Sequence, residues 1–386
     1  MKIVLSAPGK FHTFDLAREL YSRSALTKVF AGYPHFKLVN EALPKRLIET
    51  FPWIQAPYMA FPWRDRLPNA VIKEWENLSA ISFGQFVARN LPECDLYVGL
   101  SGSALPAGKK AHQRGSKFIC DRGSSHIRVQ DQLMREEHEL WGIHYTGINP
   151  RVIDREEAEY AEADCITVPS NFVYRTFIQQ GISADKLQIL SYGVNLSRFH
   201  PISSPNSERF DILFVGGMSL RKGVQYLVQA YKNINHPAKS LTFVGATSAS
   251  LIQALHARGL WPEDAIVLGH VPQEELKSLM SRSHVLVLPS IEEGLAMVMA
   301  QAMACGCPII ASNHSGAEDL ITDGLEGFII SIRDVTSLTD KLQQMIDQPK
   351  LRNEMSVKAL QKVQKIGGWH NYGEQAMKLY SEVISA

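Results

Sequence analysis

The stretch from residue 289 to residue 312, PSIEEGLAMVMAQAMACGCPIIAS, constrains the fold more than any other part of the chain. The apolar run that enters it, VLVLPS (285–290), predicts a buried strand. The Ala- and Met-rich segment after the acids predicts a helix that Gly306 ends, and CPIIAS (307–312) predicts a second buried strand. Glu292 and Glu293 therefore lie in a strand-to-helix turn, which is where open parallel sheets bind ligands.

This turn has the chemistry of a sugar-phosphate site. The first N–H groups of a helix have no partner within it and lie at the positive end of the helix dipole, so they attract phosphate. A carboxylate such as Glu293 accepts hydrogen bonds from hydroxyl groups. Together these features predict a sugar phosphate or a sugar nucleotide as ligand. The alternative is that Glu292 and Glu293 only complement the helix dipole.

Predicted strands and helices alternate along the whole chain. Strand-like runs such as KIVLSA (2–7), DLYVGLS (95–101), DILFVGG (211–217) and SLTFVGA (240–246) are each followed by a segment with helical character. This alternation predicts an α/β fold with two doubly wound, Rossmann-like domains built on parallel sheets.

The length of the chain also favours two domains. Its 386 residues exceed one ordinary domain. The polar, Pro- and Ser-rich segment ISSPNSERF (202–210) is typical of a linker. We therefore predict an N-terminal domain over residues 1–200 and a C-terminal domain over residues 208–368.

Composition narrows the class of protein. The formal net charge is +1, which argues against nucleic acid as a partner. No apolar stretch reaches the ~18 residues of a membrane span, and the apolar run of MKIVLSAPGKF is too short for a signal peptide. The five scattered cysteines favour reduced, buried thiols. We expect a cytoplasmic protein.

The loop FVGGMSLRKG (214–223) is a candidate phosphate site. Gly216 and Gly217 let the backbone approach a ligand closely, and Arg221 and Lys222 supply two cations for a diphosphate. The spacing is not that of a Walker A loop. Since the sequence has no Asp-x-Asp pair and no His, Asp and Glu cluster with ligand spacing, we expect these cations to replace a metal ion, and we predict no cofactor.

Two loops of the first half could meet a substrate. Gly9 allows a tight turn after the first strand, and Lys10 and His12 lie at that turn. The run DRGSSHIR (121–128) follows a strand with a dense set of polar groups, and its candidates are Asp121, Arg122 and His126. Lys10 and His12 could equally be solvated loop residues.

Residues 41–75 combine aromatic and basic side chains between prolines. This mixture could bind an amphiphilic acceptor or a membrane surface, and it could equally be a helical insertion that covers the sheet. The residues concerned are Phe51, Trp53, Tyr58, Phe61 and Trp63, with Lys45, Arg46, Arg64 and Arg66.

The order of the motifs resembles a known family. VGGMSLRKG, FVGA, LGHV, LVLPS, EEGLAMVMAQAMACGCPII, SGAEDLITDG and EGFII follow one another as in the family-four retaining glycosyltransferases of the GT-B fold. YGVNLSRFHP resembles their NGVD…F-x-P segment at the domain junction. The resemblance covers residues 160–330 well and the N-terminal half loosely.

The resemblance implies a function and a separate role for each domain. It implies two domains that face each other across a cleft, with the acceptor on the first and the donor on the second. A sugar would pass from a nucleotide diphosphate sugar, a UDP- or GDP-sugar, to an acceptor hydroxyl with retention of configuration, in glycan or glycolipid synthesis. The helix at 370–386 would cross back onto the first domain, and peripheral contact with the inner face of the membrane would be compatible with residues 41–75.

The resemblance also implies roles for individual residues. Lys222, with Arg221 nearby, looks like the diphosphate-binding cation, and Glu293 matches the first Glu of the E-x7-E motif that holds the donor sugar. The nucleoside base would meet the loop of His270 and Val271. Donor phosphate and sugar would meet the amides of Gly294, Leu295, Ala296 and Met297.

Three positions depart from the family pattern or leave it open. Gln301 replaces the second Glu of E-x7-E, which binds ribose, so one neutral acceptor replaces a charged pair of oxygens. Gly217 replaces an Arg that often follows the first glycine. The family's His near the reaction centre has no single match, and Asp121, Arg122 and His126 compete for its place.

Two other functions remain compatible with the sequence. One is a non-catalytic protein that binds sugar nucleotides or glycans on the same fold, which Gln301 favours. The other is a different GT-B enzyme, such as a sugar-nucleotide epimerase.

Overall fold

A computed structural model describes residues 1–61 and 67–386 of the chain. Trp63, Arg64 and Arg66, which the sequence analysis groups with the aromatic and basic residues of 41–75, lie outside the described residues. None of the helices in the described part combines the length and the apolar character needed to cross a bilayer.

The first half of the chain forms a seven-stranded parallel sheet. Its spatial order is β3-β2-β1-β4-β5-β6-β7, so the chain starts in the middle and winds outward in both directions. Leu5 in the central strand pairs with Val29 on one side and Val98 on the other. The strands are β1 (Ile3–Ala7), β2 (Leu26–Ala31), β3 (Ile48–Thr50), β4 (Leu96–Leu100), β5 (Lys117–Asp121), β6 (Cys165–Val168) and β7 (Leu187–Ile189).

The second half forms a six-stranded parallel sheet of the same kind. Its order is β10-β9-β8-β11-β12-β13, again with the first strand of the half near the centre. The strands are β8 (Phe210–Val215), β9 (Lys239–Val244), β10 (Ile266–Val267), β11 (Val285–Leu288), β12 (Ile309–Ser312) and β13 (Gly327–Ile330). The prediction of an α/β fold with two doubly wound parallel sheets is therefore confirmed.

Helices connect the strands in both halves. In the first half they are α1 (Thr13–Ser22), α2 (Gln55–Ala60), α3 (Asn69–Asn90), α4 (Leu105–His112), α5 (Ile127–Leu140), α6 (Pro150–Glu162) and α7 (Asn171–Gln179). In the second half they are α8 (Val224–Asn233), α9 (Ala249–Ala257), α10 (Gln273–Arg282), α11 (Met297–Ala304), α12 (Val335–Asp347), α13 (Pro349–Ile366) and α14 (Trp369–Ser385).

The unit at residues 285–312 forms as its sequence predicts. The strands β11 and β12 are buried along their whole length, and α11 runs between them. The helix ends at Ala304, and Gly306 has a φ of +77°, a left-handed conformation that glycine adopts at low cost. The two acids lie in the turn before the helix.

The segment 41–75 does not form one helical insertion. It contains β3 at the edge of the first sheet, the short helix α2 and the start of α3. The sequence analysis does not identify β2 or β3 as strands. Lys28 interrupts the apolar pattern of β2, and β3 is only three residues long, which is too short for a periodic pattern to be seen.

The two halves make close contact at the carboxyl ends of their strands. A Cβ built on Gly294 would lie 1.9 Å from the carbonyl oxygen of Gly123 in the first half, so only glycine fits there. The last helix, α14, contacts α1 of the first half, where Arg23 donates to the carbonyl oxygen of His370 at 3.0 Å. The limits of the two predicted domains stay a prediction.

Candidate functional site

A cavity of about 580 Å³ lies between the carboxyl ends of the two sheets. We call it the cleft cavity. His12 and Arg122 line it from the first half of the chain, and Gly216, Lys222 and Glu293 line it from the second. The tertiary structure thus brings together residues that the sequence analysis singles out in four separate loops.

Lys222 and Glu293 form an ion pair at this cavity. Lys222 ends a short 3₁₀ turn (Leu220–Lys222), and the hydroxyl of Ser219 accepts from the Lys222 N–H at 3.3 Å. Gly223 follows with a φ of +70°, which turns the chain into α8. The Lys222 ammonium donates to Glu293, and both side chains stay about a fifth exposed. Cation and carboxylate are therefore reachable by a ligand.

Glu292 has a different environment from Glu293. Its side chain is fully buried, and its carboxylate accepts from the N–H and the hydroxyl of Ser125, at 2.9 and 2.8 Å. It also accepts from Arg221 Nε at 2.8 Å and from the amide of Gln130 at 3.2 Å. Burial by itself raises the pKa of Glu292, but Arg221 and the donors of Ser125 outweigh burial and hold the pKa below its usual value.

The buried carboxylate of Glu292 links the two halves of the chain. Ser125 and Gln130 belong to the first half, whereas Arg221 belongs to the second. Arg221 also donates to the hydroxyl of Ser124 at 3.3 Å. Arg221 is therefore held at the edge of the cleft cavity by contacts that depend on both sheets.

His12 is the histidine that reaches the cleft cavity. Its Nε2 lies 2.6 Å from a carboxylate oxygen of Asp121, and the other oxygen of Asp121 accepts from Thr167 at 2.9 Å. The ring of His12 stacks on Tyr192 with 4.3 Å between centroids. Asp121 thus orients His12 from behind, and the imidazole, not the carboxylate, lines the cavity.

His126 does not lie with the cleft residues, contrary to the expectation from the sequence. Its ring is 2% exposed and is held between Tyr160 and Phe177, with centroids 5.1 and 5.0 Å away. Its Nδ1 accepts from the Arg128 N–H at the start of α5. Burial, and then the charge of Arg122, lower the pKa of His126 to about 4. These are the properties of a neutral histidine that helps to hold the fold.

Arg122 lies between the cleft and the interior of the first half. Its guanidinium donates to Glu156 at 2.6 Å and to the Ser125 carbonyl oxygen at 3.0 and 3.1 Å. A further bond of 3.2 Å runs to the hydroxyl of Ser101. Arg122 lines the cleft cavity but has most of its donors already engaged.

The second position of the E-x7-E pattern faces a different space. Gln301 lines a neighbouring cavity of about 600 Å³, together with Lys10, and Met297 lines both cavities. Lys10 pairs with Glu41 at 2.8 Å. Glu293 and Gln301 therefore lie on either side of Met297.

The remaining predicted residues are placed as follows. Gly9 forms the turn before α1, and Gly217 has open space where a side chain would begin. Leu295 and Ala296 line the cleft cavity, while His270 is exposed and Val271 half-buried after β10. In the described residues, no three His, Cys, Asp or Glu side chains are grouped closely enough to hold a metal ion.

Comparison with known proteins identifies a family match in the second half of the chain. Residues 197–362 match the family model described as glycosyl transferases group 1. The second half of the chain therefore carries a group 1 glycosyl transferase region. The chain is 27% identical over 176 residues to an alpha-D-kanosaminyltransferase of Streptomyces kanamyceticus, a match that covers 45% of each protein. The chain spans about half the length of the curated relatives it matches.

Solved structures share the fold over the whole chain. A sucrose-phosphate synthase from Thermosynechococcus elongatus superposes with a TM-score of 0.76 at 19% identity, covering 100% of this chain and 99% of that one. The Anabaena protein HepE, solved in complex with UDP and glucose, superposes with a TM-score of 0.72 at 18% identity, covering 99% and 100%. At such identities the likeness concerns the fold.

The sequence analysis misses Glu137, a residue that joins the two halves of the chain. Glu137 is fully buried, and its carboxylate accepts from Gln225 and Tyr226 at 2.7 Å each and from Arg333 at 2.8 Å. Glu137 lies on α5 of the first half, and its three partners lie in the second. No local pattern marks it, because a Glu in an acidic helix is normally exposed.

Proposed function

We propose that this chain is a retaining glycosyltransferase that moves a sugar from a nucleotide diphosphate sugar to an acceptor hydroxyl. The observation that carries the proposal is the cleft cavity, where the Lys222–Glu293 pair faces His12 and Arg122. We assign the donor to the second half, at residues 208–368, and the acceptor to the first, at residues 1–200. HepE, solved with UDP and glucose, has the same fold and supports a UDP-sugar as the first donor to test.

In the proposed mechanism the chain stabilises charge on the leaving group. The bond between sugar C1 and the diphosphate oxygen breaks, and the acceptor oxygen forms a bond to C1 on the same face. A phosphate oxygen takes the acceptor proton. Lys222 moves from Glu293 to the diphosphate, and Arg221 adds a second charge from its fixed position. Closure of the cavity limits attack by water.

Glu293 and His12 hold the sugars in this mechanism. Once Lys222 turns to the diphosphate, the Glu293 carboxylate is free to accept hydrogen bonds from donor hydroxyls. His12, oriented by Asp121, offers a ring nitrogen to a hydroxyl on the opposite wall. Both groups position the reacting atoms, an effect that contributes strongly to rate.

The proposed reaction needs no metal ion, because Lys222 and Arg221 supply the positive charge for the diphosphate. Transfer is therefore expected to continue in excess EDTA. A complete loss with EDTA that magnesium or manganese restores would contradict this part of the proposal.

We also propose that the segment 41–75 contacts a lipid-linked acceptor or an anionic membrane surface. Trp53 is 75% exposed, and the side chains of Lys45 and Arg46 are exposed nearby in sequence. Trp53→Ala should weaken binding to anionic liposomes at low salt, whereas Val357→Ala, an exposed apolar control on α13, should not. Failure of the unmodified protein to bind such liposomes would rule this contact out.

The experiment that tests the function is nucleotide release. The full chain is incubated with UDP-glucose, GDP-mannose and other nucleotide sugars, with and without a mixture of hydroxyl acceptors. We expect free nucleotide diphosphate to appear only with acceptor, and Lys222→Ala to abolish most of it. Lys365→Ala, which removes an exposed lysine of α13, is the matched control.

The same experiment separates the alternatives. Because Gln301 replaces the ribose-binding Glu of the family pattern, a protein that binds nucleotide sugars without turnover is the second candidate. Binding in calorimetry with no release in any mixture would identify it. Release that does not depend on an acceptor would favour an epimerase or a hydrolase.

A further inference from the structure

A second cavity of the first half, of about 410 Å³, adjoins the cleft cavity. We call it the α3 cavity, because one face of α3 lines it. Lys73, Asn77 and Ala80 share that face, since residues three, four and seven apart lie on one side of a helix. The loop at 145–149 forms the facing wall, and Arg155 reaches in from α6. Its size is within the range of small-ligand sites.

The two cations of the α3 cavity have only neutral partners. Lys73 donates to the carbonyl oxygen of Gly147, and Arg155 donates to the carbonyl oxygen of Gly102 at 2.8 Å and to Asn77 Oδ1 at 2.6 Å. Within the described residues, neither cation is within 4.0 Å of a carboxylate oxygen. An ammonium has three N–H donors and a guanidinium five, so donors remain for a ligand.

The acids near this cavity accept hydrogen bonds from groups other than its two cations. Glu159 accepts from the backbone N–H groups of Gly102, Ala104 and Leu105, at 2.5 to 3.1 Å. Glu76 is exposed at the rim and accepts from the hydroxyl of Tyr58. Burial lowers the pKa of Arg155 and outweighs the longer-range attraction of Glu159 and Glu156. An anion bound in the cavity would offset that effect of burial.

A buried hydroxyl and a shared wall complete the site. The hydroxyl of Ser103 lines the α3 cavity, is 2% exposed and has no hydrogen-bond partner among the described residues. Ser101 lines both the α3 cavity and the cleft cavity. The α3 cavity therefore adjoins the cleft cavity at Ser101, next to the place where the sugar would be transferred.

We propose that the α3 cavity binds an anionic group, a phosphate or a carboxylate, carried by the acceptor, with Lys73 and Arg155 as its charge partners. This inference rests on the proposed glycosyltransferase function and narrows it to acidic acceptors. Charge-assisted hydrogen bonds from a lysine and a planar arginine suit both anions, and the arginine favours two-point contact.

The test is calorimetry on the full chain saturated with UDP, which occupies Arg221 and Lys222 and keeps small anions away from them. Three probes are compared: glucose 6-phosphate, glucuronate and glucose. We expect both acids to bind at least about tenfold more tightly than glucose, the factor that one charge-assisted hydrogen bond supplies. The stronger of the two acids identifies phosphate or carboxylate as the natural group.

Variants locate the binding. Arg155→Gln and Lys73→Met should each weaken binding of the acids about tenfold and leave the affinity for UDP unchanged. Arg151→Gln, on the same helix but 70% exposed and paired with Glu74, should leave the binding of the acids unchanged. If Arg155→Gln misfolds, Lys73→Met decides, because Lys73 makes a single bond to a loop carbonyl.

Several outcomes would overturn the inference. They are equal affinity for glucose and the acids, no binding of any probe, or affinities that Lys73→Met leaves unchanged. A chain that binds the acids in the α3 cavity but no nucleotide would instead refute the proposed function, so the two failures are distinguishable.

Discussion

The cleft cavity and the interface directly behind it use the same residue types in opposite ways. Two consecutive cations, Arg221 and Lys222, meet two consecutive acids, Glu292 and Glu293. The Lys222–Glu293 pair faces the cavity and stays partly exposed, whereas Glu292 is fully buried and accepts from Ser125, Gln130 and Arg221 together.

The difference shows how one pair remains available to a ligand. Glu293 has one charged partner, which a diphosphate can draw away, so the pair can exchange partners during a reaction. Glu292 has a donor for nearly every lone pair, and removing any of them leaves a buried polar group unsatisfied. We infer that the first pair serves catalysis and the second holds the two halves together.

The first half shows the same division between two histidines. His12 lines the cleft cavity and is oriented by Asp121, whereas His126 is enclosed by Tyr160 and Phe177. Each is the residue directly before a helix that follows a strand, His12 before α1 and His126 before α5. Of the two, only His12 lines the cleft cavity.

The largest expected effect in this comparison is that of Lys222→Ala on turnover. Loss of a charge that stabilises the leaving group should lower kcat about 10²–10³-fold. Because the side chain is partly exposed and has one partner, unfolding in urea should change little. A folded variant with near-normal turnover would show that Lys222 is not the diphosphate cation.

Glu292→Gln should mainly lower stability. We expect a loss of about 3 kcal/mol in the free energy of unfolding, the low end for breaking a buried ion pair, because a third of the Arg221 side chain is open to water. Glu293→Gln, the neighbouring change of identical chemistry, should cost less than about 1 kcal/mol. Equal losses in urea unfolding would abolish the distinction between the two pairs.

His126→Asn should remove part of the pH dependence of stability. The folded pKa of His126, about 4, lies below the ordinary value of 6.5, so the unfolded chain binds the proton first as pH falls. The contribution of His126 is therefore complete above pH 6.5 and is lost as the pH falls towards 4.

We expect the unmodified protein to lose about 2 kcal/mol more than His126→Asn between pH 7 and pH 4.5, measured by urea unfolding. Asn retains an oxygen that can accept at the start of α5. Turnover of His126→Asn at pH 7.5 should stay within about threefold of normal, a change below 1 kcal/mol. An identical pH dependence in both proteins would contradict the lowered pKa of His126. A loss of activity would contradict its assignment to the interior and not to the cleft cavity.

The smallest expected effect is that of Gln301, which lies beside the cleft cavity across Met297. Replacing one neutral hydrogen bond by a charge-assisted one should make Gln301→Glu bind the donor several-fold to tenfold more tightly. Gln301→Ala should bind it more weakly. Calorimetry with the donor measures both, and unchanged affinities would mean that Gln301 does not face the donor.

Local sequence patterns determined the framework of this protein. The strand β11, the helix α11 and the strand β12 follow from apolar runs, helix propensity and a terminating glycine within 30 residues of chain. The order of motifs from VGGMSLRKG to EGFII was enough to indicate the family and to single out Lys222 and Glu293. These features are readable because they depend on neighbours in the chain.

The tertiary structure alone decided which polar residue of each loop lines the cleft cavity. Glu292 and Glu293 are adjacent, and only the approach of Ser125 and Gln130 from the other half buries the first of them. His126 is enclosed by the rings of Tyr160 and Phe177, which lie 34 and 51 positions further along the chain. Lys73 and Arg155 line the same cavity, although no local sequence pattern relates them. Burial and charge pairing arise between distant segments, so the surroundings of these side chains exist only after the two sheets have come together.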